Sequence, residues 1–172
     1  MSGIELKADI RDRVTTDILK KIQRNMDNLR PALMEIGEHL QGSVEQRFRD
    51  ETDPSGKDWE PLTAFTLANK RTSSILTESG GSGLRSSIHY SVSNDELVQG
   101  SNKIYAAIHQ FGGIIRAKSG GALAIGKSGG KGEFALVRQV SIPARPYLGL
   151  SADDCRTIDA VLARYMQPDS AL

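Results

Sequence analysis

Ile142-Pro143-Ala144-Arg145-Pro146-Tyr147-Leu148-Gly149-Leu150-Ser151-Ala152-Asp153-Asp154 is the stretch that decides the fold class. Pro143 and Pro146 each fix φ and push the preceding residue out of the helical region. Residues 142–147 are therefore expected to be extended and stiff. Ser151 then opens a capping box with aspartate at the third position in place of the usual Glu or Gln. Ile158, Val161, Leu162 and Tyr165 follow at helical spacing. A stiff extended segment feeding a terminal helix implies an α+β chain. Side chains alternate along the segment, so Arg145 and Tyr147 share one face while Pro146 and Leu148 share the other. Two roles are open to the pair. Arg145 could tie down an oxygen of its own subunit while Tyr147 fills the core, or both could anchor an interface, where Arg and Tyr are favoured. Such anchoring is common before the terminal helix of a single domain, which favours the first.

Upstream, residues 114–145 read as an extended hairpin. Ile114 and Ile115 lead out, and Phe134, Leu136, Arg138 and Val140 return on one face. Between them Lys118-Ser119-Gly120-Gly121 recurs as Lys127-Ser128-Gly129-Gly130, too little apolar area to be rigid alone. Further back, Leu84, Ser86, Ile88, Tyr90 and Val92 fall on one face of a strand. Leu97-Val98-Gln99 supplies its partner across a turn at Ser93-Asn94-Asp95. Tyr105, Ile108 and His109 are at helical spacing and stop at Gly112-Gly113.

The N-terminal third is helical. Ile4, Leu6 and Ala8 alternate with charged residues as in a short strand, after which Ile10, Val14, Ile18, Ile22 and Met26 recur every four residues. Pro31 breaks that run, and Leu33, Ile36, Leu40, Val44 and Phe48 form a second stripe, so the two read as a helical hairpin. Asp53-Pro54-Ser55-Gly56 is a turn, followed by Trp59 and a short helix from Pro61 to Ala68. The organisation expected is a single domain over 1–172. It comprises a helical hairpin (1–50), a turn-rich connector (51–83), a small, mostly antiparallel sheet (84–150) bearing the Gly/Lys-rich hairpin (114–145), and a C-terminal helix and tail (151–172).

Charge is unevenly distributed. Residues 97–150 hold seven basic residues and one acidic residue, net +6, whereas 51–96 hold four basic and seven acidic, net −3. Arg116, Lys118, Lys127, Lys131 and Arg138 are the candidate contacts of the basic segment, with Arg145 and Tyr147 beside them. No apolar run approaches the length of a membrane span, so no membrane partner is expected. The first residues lack the apolar core of a signal peptide, and the lone Cys155 cannot form an internal disulfide, which suits a protein made and kept in a cytoplasm.

The chemistry-bearing patterns are weak. Gly121-Ala122-Leu123-Ala124-Ile125-Gly126-Lys127-Ser128 matches the phosphate-binding G-x-x-x-x-G-K-[ST] pattern. It lacks the apolar strand before it, and the glycines after it make a poor helix start, so chance accounts for the match. His39, His89 and His109 have no metal-ligand spacing, and Asp50, Asp53 and Asp58 are not spaced as a calcium loop. No serine sits in a nucleophile elbow, and Cys155 has no evident activating partner. The reading is no catalytic residue, no metal, no cofactor and no enzyme.

Several ordered stretches resemble the phage virion morphogenesis family, the Mu-type and prophage tail completion proteins. They are Ile36-Gly37, Arg47-Phe48, the Asp53-to-Gly56 turn with Trp59 and Pro61-Leu62, Thr66, Leu76, Gly83-Leu84 and Ser87-Ile88. Gln99-Gly100-Ser101, Tyr105-Ala106, His109-Gln110-Phe111-Gly112-Gly113 and the run Ile142 to Ser151 complete the set. The stretch from Glu78 to Leu84 is longer than the compact Thr-Gly-x-Leu turn expected there, as if small residues had been inserted. The resemblance implies a non-enzymatic structural protein acting in tail completion or head–tail joining. It also implies self-association into a ring of six-fold symmetry, contact with tail or neck proteins, and a passage from host cytoplasm during assembly to the virion tail or neck. The alternative from composition is a nucleic-acid-binding module using residues 97–150. Phe134 is the only aromatic between Gly112 and Arg145 and so offers little base stacking.

Overall fold

The computed structural model describes residues 13–69, 72–77, 83–118, 121–126 and 134–167. The expected strand at residues 4–8 lies outside them. The helices are α1 (Arg13–Met26), α2 (Arg30–Asp50), α3 (Ala64–Asn69), α4 (Ala106–Phe111) and α5 (Ala152–Met166). The strands are β1 (Ile88–Ser93), β2 (Glu96–Ser101), β3 (Gly113–Arg116), β4 (Leu123–Gly126), β5 (Phe134–Val137) and β6 (Gln139–Ile142). They form three antiparallel pairs, β1 with β2, β3 with β6 and β4 with β5. This is the α+β class read from the sequence.

Helix α2 organises the core. Pro31 sits in its first turn, where the missing N–H costs nothing, and Glu51 closes it in the left-handed conformation. The stripe divides into two clusters. Ala32, Ile36 and Leu40 pack on Val161 of α5, with Leu97, Ile158, Leu162 and Tyr165 around them. Val44 and Phe48 pack with Trp59, Ile75, Leu84, Ile88 and Tyr147. The Phe48 ring meets Trp59 in an edge-to-face contact at 5.4 Å, a favourable geometry, and Tyr147 at a tilt at 5.5 Å.

The helix lying along α2 is α5 rather than α1. α1 leans on α5 instead, with Asn25 Nδ2 donating to the Tyr165 carbonyl at 2.8 Å. The capping box of α5 is complete, Ser151 N donating to Asp154 Oδ2 (2.8 Å) and Asp154 N to Ser151 Oγ (3.1 Å), which satisfies the first donors of the helix. Val161 of α5 packs on the apolar face of α2.

Hairpin β1–β2 turns at Asn94-Asp95, with Asn94 at φ 52°, a conformation asparagine tolerates. Its Ile88 is buried, and the ring of Tyr90 lies close against α2 because Gly37 has no Cβ: one built there would fall 2.4 Å from the ring. Gln41 Nε2 donates to the Ile88 carbonyl (3.0 Å), fastening helix to strand. The strand starts later than its apolar alternation suggests. Ser86 and Ser87 donate back to the carbonyls of Gly83 and Leu84 and hold residues 85–87 as a single 3₁₀ turn.

The hairpin read over 114–145 is built in two tiers, β3–β6 at its base and β4–β5 beyond. Arg138 is a bend between β5 and β6. The bend breaks the alternation, so Phe134 and Leu136 are exposed while Val140, expected on the same face, is half-buried.

Candidate interaction site

The two longest stretches of the family resemblance, 109–113 and 142–151, meet in space. Helix α4 presents Gln110 to the extended segment, where its side-chain amide behaves like a strand neighbour. Its Oε1 accepts from Tyr147 N and Leu148 N (both 3.0 Å), and its Nε2 donates to the Leu148 carbonyl at 2.9 Å. Arg145 N donates to the His109 carbonyl at 2.8 Å. Gly112 makes this approach possible: at φ +69°, it sits so close that a Cβ would lie 2.7 Å from Ala144 N.

Tyr147 and Arg145 are spent inside their own chain. Tyr147 is 1% exposed and its hydroxyl donates to the Ala106 carbonyl (2.9 Å); burial raises its pKa above the usual tyrosine value. Arg145 is 6% exposed and its fork donates to the carbonyls of Glu60 (2.8 Å) and Pro61 (3.1 Å). Burial pulls its pKa below the ordinary arginine value, and Glu60 and Glu51 oppose that pull. Trp59 Nε1 donates to the Pro146 carbonyl at 2.9 Å, so connector and extended segment are bonded from both sides. This geometry is the own-subunit arrangement of the two weighed from the sequence.

A second buried polar group was not read from the sequence. Arg47 of α2 donates to the carbonyls of Tyr147 (3.2 Å) and Gly149 (2.8 Å) and to Asp154 Oδ2. His39 Nε2 pairs with Asp154 Oδ1 at 3.0 Å. Burial would raise the Asp154 pKa, but hydrogen bonds from Ser151 and Ser43 and the Arg47 charge outweigh it and leave the carboxyl below the usual aspartate value. The sequence signals were the capping box that pairs Ser151 with Asp154 and the place of Arg47 in a stretch of the resemblance.

Of the basic candidates, Arg116, Lys118 and Arg138 are exposed on the two-tiered hairpin, whereas Lys127 and Lys131 lie outside the described residues. Residues 123–126 of the nucleotide-loop pattern are the strand β4, paired to β5. Alternate amides of a strand point in opposite directions and cannot converge on a phosphate. Among the described residues no cluster of three His, Cys, Asp or Glu is placed to hold a metal, and no helix is long and apolar enough to cross a membrane.

Between the connector and the hairpin lies an open cleft of about 1270 Å³. Its walls include Trp59, Leu62 and Phe65 on one side and Ile115, Leu123 and Val140 on the other, with Arg145 behind. Asp53, Asp58 and Glu60 stand on the connector side, with Lys57 among them. Asp53 is committed to its own turn, accepting from Ser55 N (2.8 Å), Ser55 Oγ (2.6 Å) and Lys57 N (3.0 Å); the Ser55 hydroxyl first, then those amides and the Lys57 charge, lower its pKa.

The model of the phage virion morphogenesis family matches residues 10–167. The chain is similar to the putative capsid assembly protein G of Escherichia phage Mu, 36% identical over 117 residues, covering 64% of this chain and 62% of that one. It is also similar to the Mu-like prophage FluMu G protein 2 of Haemophilus influenzae, 29% identical over 152 residues, 88% of each chain. The G protein 1 of the same organism is 27% identical over 149 residues, 84% of each chain. No solved structure matches the chain.

Proposed function

The chain belongs to the phage virion morphogenesis family, and from that premise we propose that it is a non-enzymatic subunit that completes the tail or joins it to the head. It has a part in phage assembly; the finer reading adds the place and the manner. It works as a ring-like homo-oligomer, with six-fold symmetry as the expected form, bound to tail or neck proteins. It is made in the host cytoplasm and ends in the virion. One observation carries the reading: the family stretches build a fastened core, in which Arg47, Gln110 and Arg145 are each bonded within the chain, Arg47 also to Asp154 just beyond the last stretch. Exposed beside this core are Phe134 and Leu136 and the basic Arg116, Lys118 and Arg138 of the hairpin, a surface suited to contact.

The Mu relative's name speaks of capsid assembly, which favours a second reading, action on the head before tails attach. Electron microscopy of a lysate made without this protein separates the two. Filled heads beside complete-length, unattached tails are expected; malformed or empty heads would move the protein to the capsid and overturn the tail reading.

A further inference from the structure

The Phe134/Leu136 face of the upper tier and the connector wall of the cleft are two different surfaces of one subunit, and among the described residues neither is covered. The register of β4 and β5 sets Leu123 against Val137 and Ile125 against Ala135 on a half-buried face, and β4 lines the subunit's own cleft with Leu123, Ala124 and Ile125. The opposite face carries Phe134 and Leu136, 59% and 72% exposed. A two-stranded ribbon by itself is marginal in water, and an exposed Phe–Leu pair on it adds an apolar face that favours a partner. Both strands also have an unpaired outer edge among the described residues.

We infer that the β4–β5 ribbon of one subunit docks, Phe134 and Leu136 first, in the connector-side cleft of a second copy. Charge selects this occupant. The hairpin bears exposed Arg116, Lys118 and Arg138, while the connector edge of the cleft carries exposed Asp58 and Glu60 against the cation Lys57. The same opposition holds across the segments, net +6 over residues 97–150 and net −3 over 51–96. A cleft of about 1270 Å³ with Trp59, Leu62 and Phe65 in its wall has room for both side chains and the ribbon edge that carries them. Because the Phe134/Leu136 face and the connector wall are different surfaces, the contact is heterologous: repeated by rotation, it closes a ring, and without closure it gives a filament. The inference rests on the self-association reading above and names its contact.

The test uses the full chain with Cys155→Ser as background. Phe134→Ser with Leu136→Ser should weaken self-association at least tenfold in sedimentation velocity and leave the melting temperature of the subunit unchanged, since both side chains are exposed. Arg138→Glu should weaken it likewise, and Asp58→Lys with Glu60→Lys in the other copy should recover most of the loss. A single-cysteine Leu136→Cys chain mixed with a single-cysteine Thr63→Cys chain should form a disulfide-linked pair, which only an intermolecular contact can give. Undiminished association of the Phe134/Leu136 variant, or no cross-link on mixing, overturns the docking contact and leaves ring formation standing. A wild type that stays monomeric at high concentration and with tail proteins added defeats the self-association reading and the contact with it.

Discussion

Replacing Gln110 tests whether α4 holds the extended segment in place. Gln110→Leu keeps the side chain's bulk and deletes three hydrogen bonds, two accepted from Tyr147 N and Leu148 N and one donated to the Leu148 carbonyl. A net hydrogen bond contributes roughly 0.5–1.5 kcal/mol, and a donor left unmet in the interior costs more. Gln110 is half-buried, so water can reach part of the site. The expected loss is about 3 kcal/mol. At roughly 2–4 °C per kcal/mol for a chain of this size, the melting temperature falls by about 6–12 °C. Gln110→Glu should lie between, because a carboxylate still accepts from both amides but sets its second oxygen against the Leu148 carbonyl. Circular dichroism melts, with urea midpoints at unchanged slope, measure the loss. Hydrogen exchange places it: the amides of Tyr147 and Leu148 should exchange faster in Gln110→Leu, and those within α2 no faster than global unfolding requires. If the Leu variant melts within about 2 °C of wild type with both amides still protected, the segment is held by its prolines and by Tyr147 packing, and the reasoning fails.

The folded-state pKa of Asp154 lies below its unfolded value of 3.8, so its contribution is complete above that value and is lost as pH falls through the folded one. Urea unfolding from pH 7 to pH 2 should show that acid loss in wild type and a flatter profile in Asp154→Asn, which at neutral pH should already be weaker by about 3–5 kcal/mol because Arg47 is left buried without its counter-charge; parallel profiles would refute this. Gly37→Ala should destabilise by about 1–3 kcal/mol although alanine favours helix, since its Cβ meets the Tyr90 ring. Tyr90→Ala in the same chain should remove most of that penalty, and a more stable Gly37→Ala protein would show that the ring moves freely aside. Arg145→Ala should lower the melting temperature of the isolated protein, through a loss of about 1–3 kcal/mol as the Glu60 and Pro61 carbonyls lose their donors; an unchanged melting temperature with failed assembly would assign Arg145 to an interface.

Features that leave a local trace in the sequence were legible. The stripe Ile36, Leu40, Val44 and Phe48 repeats once per turn, the cap of α5 is written in Ser151 and Asp154, and the turns at Asp53 and Asn94 follow from side chains that bond their own backbone or tolerate positive φ. Choices between distant partners leave no such trace. α1 and α5 both carry apolar faces, and it is α5 that packs along α2 while α1 leans on α5. The bend at Arg138 adds no distinctive residue, yet it reverses which side chains the ribbon exposes. The candidate site shows the same limit in its sharpest form. Arg116, Arg138 and Arg145 are equivalent as letters in one basic segment, and their roles part only when the chain closes. His109, Glu60 and Pro61 must first arrive from elsewhere before Arg145 has carbonyls to bind, whereas nothing described arrives to cover Phe134 and Leu136. A basic residue next to two prolines and a tyrosine is thus drawn inward by carbonyls that the extended segment cannot satisfy itself. One on a Gly/Ser-bordered hairpin stays outside, where its charge can act on another molecule.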